Sequence, residues 1–146
     1  MWSPGTNRSA GVGILLHPRC SIEITDHKFD AKGRVDSVKL KQGTQHFQCT
    51  TVYALNNHTD RVQFFDNMWR YLFRNVETII AGEFNCILDV KQDKWAGDDT
   101  FGDKGVTQLH VLTDSFRLED CFWVKYPNDK LFTWPAFGRL SFRLIL

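Results

Sequence analysis

Thr78-Ile79-Ile80-Ala81-Gly82-Glu83-Phe84-Asn85-Cys86 is the stretch on which the fold turns. An apolar run containing β-branched residues meets a glycine, and an acid, an aromatic and an asparagine follow. Val76 to Ala81 therefore reads as a short buried strand stopped by Gly82. Alternate residues at a strand end project the same way, so Glu83 and Asn85 are expected together beside the sheet edge. A carboxylate can accept a proton from water or hold a hard cation. A carboxamide can donate to a phosphoryl oxygen and accept from an attacking water. The same residues also suit a strand end capped by polar groups.

Working outward toward the N-terminus, Thr59 or Asp60 is a good N-cap for a helix, with Val62, Phe65, Trp69 and Leu72 at helical spacing and Phe64 and Met68 widening the stripe. Before it, His46 to Tyr53 alternates, with Phe47, Cys49, Thr51 and Tyr53 on one side. Lys41 to Thr44 and Asp30 to Gly33 are turns, and Arg34 to Leu40 is the strand between them. Ile22 and Ile24 continue extended structure, and Ala10 to Leu16 is a further strand candidate. Three strands joined by short turns read as an antiparallel meander.

Toward the C-terminus, Lys91 to Gly105 is polar and reads as a solvated loop. Its aspartates lack the spacing of a calcium loop. Val106 to Leu118 carries Val106, Leu109, Leu112 and Phe116 near helical spacing. Leu131 to Trp134 and Leu140 to Leu146 read as two strands of a hairpin around Pro135 to Gly138. The pattern is mixed α and β. The apolar ending, Leu140 to Leu146, reads as a strand cut before its turn, so the expectation is that residues 1–146 form a partial domain.

With 146 residues, 42% hydrophobic and 24% charged, the composition is that of one globular domain. A net charge of +1 excludes both a strongly basic nucleic-acid arm and an acidic tail. No apolar run approaches the ~20 residues of a membrane helix. The first residues, Met1 to Gly5, lack the basic and apolar regions of a signal peptide. Cys20, Cys49, Cys86 and Cys121 form no C-x-x-C or zinc-like cluster. They read as free thiols of an intracellular protein, nuclear or cytoplasmic and not secreted, with no disulfide partners. Cys49 and Cys86, inside apolar runs, read as small core residues.

Two further segments carry chemistry. Tyr53 and Asn56 end the strand of Thr51-Val52-Tyr53-Ala54-Leu55-Asn56-Asn57, where both can donate to an anion. Tyr126-Pro127, Phe132-Thr133-Trp134 and Arg139 to Arg143 interleave aromatic and basic residues, a pattern that suits bases and phosphates or a plain hydrophobic hairpin.

The order of these segments resembles the endonuclease domain of non-LTR retrotransposons, within the endonuclease/exonuclease/phosphatase superfamily that includes abasic-site DNA endonucleases. Ser9 to Leu15 is similar to that family's S-x-G-V-x-I-L strand, and Asp30 to Arg34 to its D-x-x-G-R turn. Val52 to Asn56 is similar to V-Y-A-P-N, with leucine for proline. Gly82 to Asp89 is similar to G-D-F-N-C-V-L-D, with Glu83 for the aspartate. Leu118 to Trp123, Tyr126-Pro127 and Phe132 to Trp134 follow the family's later motifs.

The resemblance implies an incomplete two-sheet, four-layer α/β sandwich of the endonuclease/exonuclease/phosphatase type. It implies a magnesium-dependent phosphodiester hydrolase that nicks DNA at a retrotransposon target site. In that frame Glu83 orients or deprotonates water, Asn85 binds the scissile phosphate, and Tyr53 and Asn56 hydrogen-bond the phosphate or support the metal shell. Trp134, Ser141 and Arg143 lie at the DNA-binding rim. The family's Q-E-T/S-H motif, whose glutamate binds the metal, and its closing S-D-H have no counterpart here, so no metal ligand is assigned. Glu83 also extends the carboxylate by roughly 1.5 Å, one C–C bond, and a misplacement on that scale costs ~10²-fold in rate. These departures imply a chain without activity. A non-catalytic nucleic-acid-binding fragment and a related phosphoesterase acting on a lipid or small phosphate are the alternatives.

Overall fold

The computed structural model describes residues 1–5, 10–93, 104–129, 134–136 and 140–142, with backbone only at 90, 92, 134–136 and 140–142. Its elements are β1 (Trp2–Ser3), β2 (Val12–Gly13), β3 (Glu23–Phe29), β4 (Val35–Gln42), β5 (Gln45–Tyr53), α1 (His58–Met68), β6 (Glu77–Glu83), α2 (Val90–Asp93), α3 (Val106–Phe116), α4 (Cys121–Lys125), β7 (Trp134–Ala136) and β8 (Leu140–Phe142). The mixed α/β class expected from the sequence is what is observed. The chain divides into two compact units, Met1–Tyr53 with Asn67–Gly82, and Ala54–Asp66 with Glu83–Leu146.

The first unit is organised by a four-stranded sheet in the order β3-β4-β5-β6. The meander β3-β4-β5 is antiparallel throughout. A two-residue loop, Gly43-Thr44, joins β4 to β5, with Gln42 opposite Gln45. Gly43 has φ 60, the left-handed geometry that such tight loops require. The register sets Val35 opposite Val52, Ser37 opposite Thr50 and Lys39 opposite Gln48. Gln48 bonds Thr78, and Val52 lies against Gly82. Both strands thus advance in the same direction, and β6 joins β5 in parallel across the α1 crossover.

Val35, Val38, Leu40 and Val52 are buried, each worth about 1.5–3 kcal/mol of transfer free energy. The polar residues between them are buried as well. Ser37 and Thr50 share a hydrogen bond of 2.7 Å. Gln48 donates to Phe73 O and Thr78 Oγ1, both at 2.7 Å, and accepts from Phe73 N at 2.9 Å. The alternation of β5 is as expected, but its buried side is Gln48, Thr50 and Val52, while Phe47, Cys49, Thr51 and Tyr53 are half-buried. Paired hydrogen bonds let the polar side go inward. Cys49 is accordingly not the core residue its apolar context suggested; Cys86 is.

The strand expected over Ala10 to Leu16 shrinks to β2, paired with the equally short β1. Ala10 has φ 65, which breaks the pleat, and Leu15 is 94% exposed. The turn at Asp30 is as expected. Its carboxylate accepts from Arg34 N and Val35 N, and its carbonyl accepts from Ser3 Oγ at 2.7 Å.

In the second unit α1 starts earlier than Thr59 or Asp60. Asn57 is the cap, accepting from Thr59 N at 2.9 Å and Asp60 N at 3.1 Å. The buried positions of α1 and its extension are Arg61, Phe65, Met68 and Leu72, while Trp69 is half exposed. The stripe is rotated from the expected one because it includes a charged residue. Arg61 donates to Leu55 O, Asn56 O and Lys104 O at 3.2–3.3 Å. Helix α3 falls where expected and buries Leu109, Leu112 and Thr113. Helix α4 was not anticipated; Asp120 caps it by accepting from Phe122 N and Trp123 N. Asp93 also departs from its expected place in a solvated loop. It is 2% exposed and accepts from Trp123 Nε1 at 2.9 Å and Asp89 N at 3.0 Å. Near the C-terminus β7 and β8 pair with Trp134 opposite Phe142; Pro135 and Ala136, expected in the turn, lie in β7, and residues 131–133 and 143–146 of the expected strands lie outside the described residues.

Candidate functional site

The strand expected over Val76 to Ala81 and stopped by Gly82 runs instead through Gly82 to Glu83, and in β6 only Ile80 is buried. The φ of Gly82 is 143, and a Cβ there would fall 2.0 Å from Val52 O. Only glycine allows this approach. The chain then enters the second unit at Glu83, whose carbonyl accepts from Ala54 N at 2.7 Å.

Glu83 and Asn85 do come together, but not by strand alternation. The strand finishes at Glu83, and Asn85 takes the left-handed conformation, φ 51. This region tolerates asparagine better than most residues. A tight turn results. Asn85 N donates to Glu83 Oε1 at 3.0 Å, and Asn85 Nδ2 donates to Ala54 O at 2.8 Å. Phe84 anchors the turn from the inside at 1% exposed, its ring stacked 6.4 Å from that of Phe65. Glu83 and Asn85 are half-buried. Glu83 Oε2 and Asn85 Oδ1 have no protein partner among the described residues, so an acceptor pair and one amide N–H stay available to a ligand or to water.

Tyr53 is the last residue of β5, in the first unit, and is half-buried. The guanidinium of Arg34 lies over its ring, 5.1 Å from the centroid. Arg34 Nη1 donates to Tyr53 O at 3.1 Å, and Tyr53 N to Arg34 O at 2.8 Å. Asn56, in the second unit, is exposed, and its carbonyl is one of those held by Arg61. Trp134 and Ser141 sit on the paired backbones of β7 and β8, with their side chains outside the description. Arg143 lies outside the described residues.

The two arginines were missed as site residues. For Arg34 the only signal is its place directly after a glycine turn; Arg61 looks like any charge on a helix surface.

Among the described residues no group of three or more His, Cys, Asp and Glu side chains is placed to hold a metal ion. The four cysteines are free. Burial pushes the Cys49 thiol above its ordinary pKa, which lowers the thiolate fraction a nucleophile needs. No helix among the described residues is long and apolar enough to cross a membrane.

No family model matches the sequence, and no curated protein matches it significantly. Among solved structures, an AP endonuclease from Leishmania major superposes with a TM-score of 0.63 at 16% identity, over 80% of this chain and 45% of that one. A beta hairpin deletion mutant of the beta toxin of Staphylococcus aureus reaches a TM-score of 0.38 at 10% identity, over 84% of this chain and 46% of that one. The first likeness shows the fold, an α/β architecture of the AP endonuclease type. The chain spans less than half the length of either structure.

Proposed function

We propose that this chain carries part of an endonuclease-type phosphodiester hydrolase domain, of the kind that retrotransposons use to nick target DNA, and that it engages a DNA phosphate without cutting it. One observation carries the reading. The Glu83-Phe84-Asn85 turn holds a carboxylate oxygen, a carboxamide oxygen and an amide N–H with no protein partner among the described residues, at a strand end. The AP endonuclease-like fold and the order of the sequence motifs support it. In this reading Asn85 donates to a phosphate oxygen, Glu83 orients a water, and Tyr53 and Asn56 add hydrogen bonds. Trp134, Ser141 and Arg143 contribute to the rim. DNA as partner implies action inside the cell, in nucleus or cytoplasm.

Magnesium would neutralise phosphate charge in such a site. The described residues do not fit it, since they offer no group of three ligating side chains, and no step is assigned to the metal. A net charge of +1 further implies weak, salt-sensitive binding.

Two assays test the reading. Supercoiled plasmid in magnesium should show no nicking above a buffer control. A short DNA duplex should be retarded in a low-salt gel, less so with Asn85→Ala. Magnesium-dependent nicking that disappears in Glu83→Ala would overturn the non-cutting half. Absence of retardation at every salt concentration would overturn the binding half.

A further inference from the structure

The first unit holds a second group suited to an anion, at the paired ends of β4 and β5. Arg34 immediately precedes β4, and Tyr53 closes β5. The two backbones exchange a hydrogen bond, and the guanidinium lies 5.1 Å from the Tyr53 ring centroid with Nη1 bonded to Tyr53 O. Packing against the ring and this bond fix the orientation of a side chain that would otherwise be mobile.

The charge of Arg34 is left without a carboxylate. The acid of its own turn, Asp30, is engaged by the backbone N–H groups of Arg34 and Val35. Among the described residues the guanidinium has no other acceptor and no ion pair, and the Tyr53 hydroxyl has no hydrogen-bond partner. A half-buried, oriented, unneutralised guanidinium beside a free phenol is complementary to an oxyanion with several oxygens. The planar fork takes two of them and the hydroxyl a third.

We propose that Arg34 is a phosphate-binding residue acting with Tyr53. This rests on the reading above that Tyr53 faces phosphate, and adds the positive charge that the reading lacks. The site takes the phosphate group of a monoester or of a nucleic-acid diester.

The test is a titration of the ¹⁵N-labelled full chain, following the arginine Nε–H and asparagine side-chain amide resonances. Inorganic phosphate is the probe in one arm and a short DNA duplex in the other, and Arg34→Lys assigns the peak. The Arg34 Nε–H should move saturably in at least one arm. The Arg61 Nε–H, bonded to Lys104 O, should stay fixed. Followed through the Tyr53 backbone amide, Arg34→Gln should raise the half-saturation concentration about tenfold or more, and Tyr53→Phe, which keeps the ring under the guanidinium, several-fold. An Arg34 resonance that stays still in both arms overturns the proposal, and this holds even if Arg34→Gln fails to fold. Movement of the Asn85 amide with Arg34 still would sink the proposal but leave the turn reading intact. Movement of Arg34 with Asn85 still would support the proposal and refute the role of Asn85.

Discussion

On the face of the sheet that carries Ser37, Gln48 and Thr50, polar side chains bond to one another and to backbone. Gln48 uses both its amide hydrogens and its oxygen on Phe73 and Thr78, and Ser37 pairs with Thr50. At the Glu83–Asn85 turn the polar groups are half engaged: each side chain uses one atom to shape the turn and leaves another without a partner among the described residues. In the sheet, polar residues add structural uniqueness, because any other arrangement would bury unsatisfied groups. At the turn they leave atoms that are held in place and that, in the proposed reading, are kept for a ligand. Between the two sits Gly82, whose backbone contact with Val52 brings β6 to its end.

Gly82→Ala should produce the largest effect. The new methyl would meet Val52 O at 2.0 Å and the residue would have to hold φ 143, so a loss of about 3 kcal/mol or more is expected. Urea denaturation measures it. A loss below about 1 kcal/mol would mean that β6 can shift, and that the turn is not pinned through this glycine. Gln48→Ala comes next. It removes three hydrogen bonds and leaves Phe73 N and O buried, for about 2–4 kcal/mol. A change confined to a few tenths would show that the polar face of the sheet can rearrange, and the contrast with the turn would fail.

Which parts of this were visible in the sequence follows from the range of the forces involved. The meander was legible because period-two alternation and glycine turns are local signals, and they place β4 and β5 within a residue or two. The inward side of β5 was not, because Gln48 and Thr50 are tolerable inside only once Phe73, Thr78 and Ser37 arrive from elsewhere in the chain. The burial of Arg61 and Asp93 is hidden from the sequence for the same reason: it depends on carbonyls and an indole that are remote in sequence. For the site, the residue types at Glu83 and Asn85 were evident. Their geometry was not, because a left-handed asparagine replaces strand alternation with a turn.

The sheet has a second face that sharpens the comparison. Thr51 sits there with its hydroxyl buried and without a partner among the described residues, opposite Asp36 in the register. Thr51→Val keeps the shape and removes an unsatisfied group, so it should stabilise by about 0.5–1 kcal/mol. Destabilisation instead would reveal that the hydroxyl is satisfied in solution, for instance by a bound water, and that this face is as fully engaged as the other.

The smallest change in stability should come from Asn85→Gly. Glycine accepts φ 51 without strain, which offsets part of the hydrogen bond lost from Nδ2 to Ala54 O. A more flexible unfolded chain adds a cost of about 0.4–1 kcal/mol. Both remaining costs are small for a half-buried residue, and the net loss should be about 0.5 kcal/mol. Duplex retention at low salt should nonetheless fall if, as proposed, the carboxamide is the group that meets phosphate. The two readouts separate the roles that the sheet face combines. A loss above about 1.5 kcal/mol would show that Asn85 is there to hold the turn, as Gln48 holds the sheet. Unchanged stability with unchanged DNA binding would place phosphate recognition elsewhere, with Arg34 and Tyr53 as the remaining candidates.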